Sequence, residues 1–359
     1  MYNQFKAIAG RHAPVRLLSA GAAVAFAAGL AGAPGAAAAQ EQLVISHWGF
    51  NGDKLEEFLF APFEEEHGVE IIVETGKNAD RLSEVQVRGG EQVDLIYLAT
   101  GYAQAGIEEG LFAEIDRSRI PNVEQIYEVA QAPHGEAYGP AYTVGRYGII
   151  YDAASVDEPI DSWEDLWNPA FEGRASIPDL NTTAGALPVI YAAERRNADA
   201  FLDPETAFES LGELTPNIVT TYNRCSALAN MFAQGEVVVA AAQDFIFPRI
   251  KEAVPTAEWA ELEEGAFANL NTINIVKGSD QVELAHAFIN WALSQETQHA
   301  LAVNQVDAPV NTMVELTPEQ AAIWTYGGDV IASLQTADEA AVSAAMGDWT
   351  DRWNQTFRQ

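Results

Sequence analysis

"GPAYTVGRYGIIYD", residues 139 to 152, decides the reading of the fold. It is dense in Gly and Tyr, carries the β-branched residues Thr143, Val144, Ile149 and Ile150, and has no helical period, so it predicts one long strand. A second extended run, "GAFANLNTINIVKG" at residues 265 to 278, has the same character. Between and around the two lie α/β patterns. One strand leaving a first α/β unit and one returning to it make a two-lobed molecule with a hinge of two crossings. The expected division is residues 40–143 for the first part of lobe 1, 144–268 for lobe 2, and 269–359 for the return to lobe 1 and the C-terminal helices.

Outward from the crossings, the pattern before residue 139 alternates short apolar runs with helical segments. "LVISHW" reads as a strand, and Asp53 is placed to cap a helix through Glu66 with Leu55, Phe58, Leu59 and Phe63 at helical spacing. "VEIIVETG" is a second strand, Ala79 to Arg88 a helix, "VDLIYLATG" a third strand, and Tyr102 to Glu109 a helix that Gly110 ends. Each strand finishes in a small or polar cluster, "HWGFNGD", "ETGKNAD" and "ATGYAQ". In open α/β sheets a ligand crevice lies beyond the carboxyl ends of the strands, so these clusters are candidate site segments. From Asp280 the chain reads as mostly helical, with Leu284, Phe288, Ile289, Ala292 and Leu293 on one face.

Residues 1–39 have the pattern of a cleaved export signal: Lys6, Arg11 and Arg16, an apolar run from Leu17 to Leu30, and small residues at Ala37 and Ala39. The apolar core is shorter than the roughly 18 to 20 residues that span a bilayer. With no cysteine beside the cleavage point, the mature chain is expected to be soluble and periplasmic. Without those three basic residues the chain has 16 Lys and Arg against 52 Asp and Glu, a net charge of -36. Such a balance argues against nucleic acid and anionic membranes as partners and favours cations or a saline habitat. Cys225 is the one cysteine, so packing rather than a disulfide holds the fold, with the thiol read as buried and inert.

A further stretch, "SWEDLWNPAFEGRASIPD" at residues 162 to 179, has Ser162 set to cap a helical turn with Glu164 and Asp165 in its first positions. Trp163, Leu166 and Trp167 can anchor that turn, Pro169 ends it, and "RASIPD" reads as a strand with Asp179 at its carboxyl end. The stretch resembles the "SWxDLWxPxxxG" segment of periplasmic spermidine/putrescine-type solute-binding proteins. "VDLIYLATGYAQAGIEEGLFAEID", "GEVVVAAAQDF", "KGSDQVELAHAFINWALSQETQHALA" and "DAPVN" are similar, in order, to further segments of that family. The resemblance implies an α/β, two-lobed type II periplasmic-binding fold, a small solute, an ABC permease as partner, and neither enzymatic activity nor a cofactor.

Matched by position, the resemblance implies ligand contacts from Trp48 and Phe50 after the first strand, Thr100 and Tyr102 after the third, and Asp179 from the second lobe. Three positions depart from the family pattern. Gln243, with Asp244 beside it, replaces a tryptophan; Asn269 and Asn271 stand for a Trp and an Asp; and Asp307 stands for a Tyr. A less aromatic, more amide-rich site follows. Arg146 on the first crossing strand would repel a diamine but clamp a carboxylate, so the solute is either a small amine such as a polyamine or a zwitterionic amino-carboxylate. Structural roles are also open: Trp48 and Tyr102 in lobe cores, Asp179 and Asp244 as helix caps, Asp307 as a loop-ordering residue, and Arg146 as a hinge ion-pair partner.

Other classes find less in the sequence. No G-x-S-x-G elbow, P-loop or H-E-x-x-H occurs, and the six histidines are scattered singly. His47, beside the expected cleft, reads as a strand-end histidine. Ferric-ion binders share the architecture but use adjacent tyrosines, whereas Tyr147, Tyr151, Tyr191 and Tyr222 are dispersed here, and no calcium loop is present. A monomer is the expected state.

Overall fold

The computed structural model describes residues 40–357. The export signal read over residues 1–39 lies outside the described residues. From Gln40 onward the chain forms one compact unit.

Both crossing runs form strands that pair with each other. In chain order the strands are β1 (Gln42–His47), β2 (Glu70–Thr75), β3 (Leu95–Ala99), β4 (Ala141–Asp152), β5 (Ala175–Ser176), β6 (Val239–Gln243), β7 (Ala257–Trp259) and β8 (Phe267–Ile275). They join in one mixed sheet of order β2-β1-β3-β8-β4-β6-β5, with β7 paired to β4. The first half of β4 pairs antiparallel with β8, through Val144 with Leu270 and Tyr147 with Phe267. Its second half leaves β8 and pairs with β6, from Tyr147 with Gln243 to Tyr151 with Val239. β8 likewise passes from β4 to β3, where Asn271 pairs with Ala99 and Ile275 with Leu95. Each crossing strand therefore changes partner along its length within the one sheet, and Tyr147 sits where β4 does so. Gly145, mid-crossing, is required by close approach: a Cβ there would lie 2.7 Å from Asp244 Oδ1.

Cores lie on both sides of this junction. One joins Leu43, Ile45, Leu95 and Ile273 of the sheet with Leu59, Phe63, Phe288 and Ile289 of the covering helices. The predicted apolar face of Leu284, Phe288, Ile289, Ala292 and Leu293 is buried in it. The other joins Tyr147, Ile149 and Val239 with Trp163, Leu211, Trp349 and Trp353. The last two residues belong to the C-terminal helix Glu339–Phe357, whose apolar face thus packs with the second core.

Local details differ from expectation in three places. The first helix begins at Gly52 after Asn51, which is left-handed at φ 57°, so Asp53 stands in the first turn rather than at the cap. A π-helical turn at Glu56–Phe60 follows, just before Pro62, whose missing N–H cannot complete the α ladder. That turn rotates the apolar face, burying Phe60 where helical spacing had pointed to Phe58. The strand expected over "RASIPD" is only Ala175–Ser176, since Pro178 cannot donate to a ladder.

The turn at 163–167 forms as a 3-10 segment, with Ser162 and Asp165 in a reciprocal capping box. Trp163 is the anchor. Its ring stacks on Tyr147 at 5.4 Å and lies 5.9 Å from Phe267, while Nε1 donates to Gly265 O at 3.0 Å. The motif thus holds both crossing strands from the second-lobe side.

Candidate functional site

A cleft of about 480 Å³ opens where the crossing strands meet three helix starts. Its floor is Tyr147 of β4, Gln243 of β6 and Ala268 and Asn269 of β8. One wall is the first turn of the helix Thr100–Glu108, with Thr100, Gly101 and Tyr102. Facing it are residues 180–187, leading into the helix Leu187–Glu194, and one face of the C-terminal helix with Glu339, Val342, Ser343 and Met346.

Strand alternation explains which crossing residues reach this space. Tyr147 takes the cleft face, so Arg146 beside it takes the opposite one. Arg146 lies over the Trp259 ring, 4.7 Å from its centroid, and its Nη1 is 3.7 Å from Glu261 Oε1. It is not among the residues lining the cleft. Tyr147 reaches the cleft with its hydroxyl buried and without a hydrogen-bond partner among the described residues, and burial pushes that phenol well above its ordinary pKa.

Of the expected site residues, Thr100, Tyr102, Gln243 and Asn269 line the cleft. Gln243 Oε1 lies 4.0 Å from Cys225 Sγ, a free thiol that burial pushes up to about 11. Asp179 is buried behind the wall: Oδ1 accepts from the Asn181 side chain at 3.1 Å and Oδ2 from Thr221 at 3.2 Å. It shapes the Asn181–Thr183 turn that faces the cleft. Asp244 accepts from Thr325 and from the backbone N–H groups of Arg146 and Phe245, and burial raises its carboxyl against those contacts.

Trp48, Phe50, Asn271 and Asp307 lie along the first-lobe side. Phe50 is 65% exposed, on the loop whose Asn51 reaches the Gln305 and Val306 carbonyls. Asn271 pairs with Thr143, and Thr143 Oγ1 donates to Ala308 O at 2.9 Å, so the Asp307 loop is tied to the crossing. Trp48 is half-buried in an aromatic group with His47, Tyr97 and Tyr142.

Glu339 was missed by sequence reasoning. Its carboxylate accepts from Thr100 Oγ1 at 2.6 Å, and Oε2 would lie 3.2 Å from a Cβ on Gly101, which places it at the start of the helix Thr100–Glu108. The helix dipole favours an anion there. Burial nonetheless raises the carboxyl, with the Thr100 bond opposing. Among the described residues lining the cleft, Glu339 is the one charged side chain. The available signal was the C-terminal apolar stripe of Val342, Trp349 and Trp353, which marks a helix with Glu339 in its first turn.

Two lobes joined by paired crossing strands, with a cleft at the junction, define a periplasmic-binding fold of type II. The chain belongs to the bacterial extracellular solute-binding protein family, whose model matches residues 59–327. A crystal structure of an ABC transporter from Clostridium perfringens is 42% identical, covering 88% of this chain and 99% of that one with a TM-score of 0.82. Spermidine/putrescine-binding periplasmic protein 1 of Haemophilus influenzae is 23% identical over 273 residues, 74% of each chain. A putrescine/cadaverine-binding protein of Pseudomonas aeruginosa is 23% identical over 334 residues, covering 81% of this chain and 88% of that one. Family membership implies a small-molecule solute and an ABC permease, and the family is one of transport proteins.

Proposed function

We propose that this protein, exported to the periplasm by residues 1–39, binds a small amine of the polyamine class as a monomer and delivers it to an ABC importer. One observation carries the reading: the charged side chain lining the cleft is a carboxylate, Glu339, and the nearby guanidinium of Arg146 is engaged on the opposite strand face. A desolvated carboxylate seeks a cation, and Thr100, Asn181, Gln243 and Asn269 supply acceptors for the remaining N–H groups. The relatives whose names specify spermidine, putrescine or cadaverine support the same class.

With lobe boundaries at 143/144 and 268/269, solute bound between the lobes favours the closed member of an open and closed pair, and the permease accepts that form. The test is a thermal-shift panel of diamines, polyamines, ω-amino acids, betaines, sugars and metal ions, since a ligand that binds only the native state raises Tm. Putrescine, cadaverine or spermidine should raise it, with compaction in solution scattering. A shift confined to ω-amino acids would replace the amine by a zwitterion, and no shift with any amine would remove the reading.

A further inference from the structure

The C-terminal helix Glu339–Phe357 is anchored on one side of the crossing strands and bonded to the other. Its anchor is apolar: Val342, Trp349 and Trp353 are buried in the second core, and the Trp349 ring stacks on Phe201 at 5.4 Å. The chain reaches this helix beside the start of β8, where Gln335 N donates to Ala266 O at 2.9 Å and Ala268 N donates to Gln335 O at 2.7 Å. Four residues earlier it still belongs to the first core, through Ile331. Gln335 thus marks a third crossing, and the helix after it is carried by the second lobe.

The first two turns of that helix bond to the first lobe. Thr100 Oγ1 donates to Glu339 Oε1 at 2.6 Å, and Ser343 Oγ donates to Glu108 Oε2 at 2.8 Å. Glu339 and Ser343 are four residues apart and so share a helix face. Their partners both lie on the helix Thr100–Glu108, which packs through Ala103 on Leu82, Ile96 and Leu98. Gln104 Nε2 donates to Glu108 Oε1 at 3.0 Å, leaving Oε2 to Ser343. Thr100, Glu339 and Ser343 line the cleft, whereas Glu108 is exposed and is not among the lining residues. A similar pairing recurs at the crossing: Asp244 after β6 accepts from Thr325, whose neighbours Trp324 and Tyr326 donate to Ala302 O and Val314 O of the first lobe.

We propose that Thr100 and Glu108 are positioning residues for solute binding: by holding Glu339 and Ser343 of a helix anchored in the other lobe, they aim the cleft carboxylate when the lobes are closed and release it when they part. A hydrogen bond between groups on different lobes forms only in the closed arrangement, so it biases the open and closed pair whether or not solute is bound. Apparent affinity scales with the closed fraction, so a residue that favours closure strengthens binding without touching the solute. Glu108 is such a residue. Thr100 acts on the carboxylate as well, since its hydroxyl opposes the effect of burial and favours the charged form of Glu339. The solute half of this proposal rests on the amine reading; the closure half stands apart from it.

The test joins solution scattering of the unliganded protein with stopped-flow binding of putrescine, on wild type, Glu108→Ala, Glu108→Gln, Thr100→Val and Thr100→Ser. Glu108→Ala should enlarge the radius of gyration and weaken putrescine about 2- to 10-fold, chiefly by faster dissociation. Glu108→Gln loses the charge but keeps an acceptor for Ser343, and should stay within about 2-fold of wild type. Thr100→Val should enlarge the radius of gyration in the same sense and weaken putrescine about 5- to 20-fold. Thr100→Ser, which restores the hydroxyl, should recover most of both losses.

Wild-type dimensions and wild-type affinity in Glu108→Ala would overturn the positioning role and leave the amine reading standing. So would an equal loss in Glu108→Gln and Glu108→Ala, which would trace the effect to charge rather than to the Ser343 contact. If the wild type binds no amine, the amine reading falls and scattering decides alone: an expanded Glu108→Ala upholds the contact between the lobes, and an unchanged one overturns it.

Discussion

Two aromatic clusters flank the crossing strands, and they differ in how their polar atoms are used. In the second lobe, Trp163 donates to Gly265 O, Ser162 and Tyr191 donate to Glu264, and Trp167 donates to Ser210 O. In the first lobe, the Tyr97 and Tyr142 hydroxyls are buried without such partners among the described residues. Aromatic content is similar in the two; hydrogen-bond completion is not. Pairing is not complete in the second lobe either, where the Tyr147 hydroxyl and Trp353 Nε1 lack partners among the described residues, but the two indoles that fix the 163–167 turn, Trp163 and Trp167, are both paired, as a structural anchor requires. Tyr147 stands on the boundary, its ring stacked on Trp163 while the residue also lines the cleft.

The largest effect expected from this contrast is on stability. Trp163→Ala should cost about 3–5 kcal/mol by urea unfolding, since it empties a buried indole site behind both crossing strands. A loss below about 1 kcal/mol would mean the second cluster is not the anchor.

Next in size is the cleft carboxylate. Glu339→Gln keeps an acceptor for Thr100 but removes the charge, and should weaken putrescine about 10- to 100-fold while unliganded Tm holds or rises. Unchanged affinity would separate Glu339 from recognition.

The Asp307 carboxyl gives a pH signature opposite to that of an ion-paired acid. Its pKa is raised from 3.8 to about 7, so the folded protein binds a proton that the unfolded chain has released. Its contribution to stability is therefore full below about pH 4 and is lost as pH rises through about 7. The difference in urea midpoint between wild type and Asp307→Asn should shift in the variant's favour across that window; a difference flat in pH would contradict the desolvated carboxyl.

Arg146→Met should have the smallest effect. Its contacts with Trp259 and Glu261 are partly exposed, so a loss of about 1 kcal/mol or less in stability and less than about 3-fold in putrescine affinity is expected.

Much of the fold was legible because it is local. Residues 139–152 and 265–278 announce strands through composition, and Ser162 with Asp165 announces a cap through spacing. The π-helical turn before Pro62 was not, because periodicity presumes an unbroken α ladder. In the site, Thr100 and Gln243 were legible because they stand at the carboxyl ends of β3 and β6, where a crevice is expected, and Tyr102 follows in the first turn after β3, whereas Asn269, inside β8, was reached only through the family resemblance. Glu339 escaped notice since it reaches Thr100 across 239 positions of sequence. Arg146 was placed on the right strand, but which face of a twisted crossing it takes depends on Tyr147 and Trp259. The unpaired hydroxyls of Tyr97 and Tyr142 are visible only in three dimensions.

The most direct test of the central claim, that this cleft recognises ammonium by carboxylate with no cationic clamp, is calorimetry at pH 8 with a matched pair, putrescine and γ-aminobutyric acid. The account predicts that putrescine binds at least about 10-fold tighter and that Arg146→Met leaves this preference in place. Tighter binding of γ-aminobutyric acid, abolished by Arg146→Met, would contradict it.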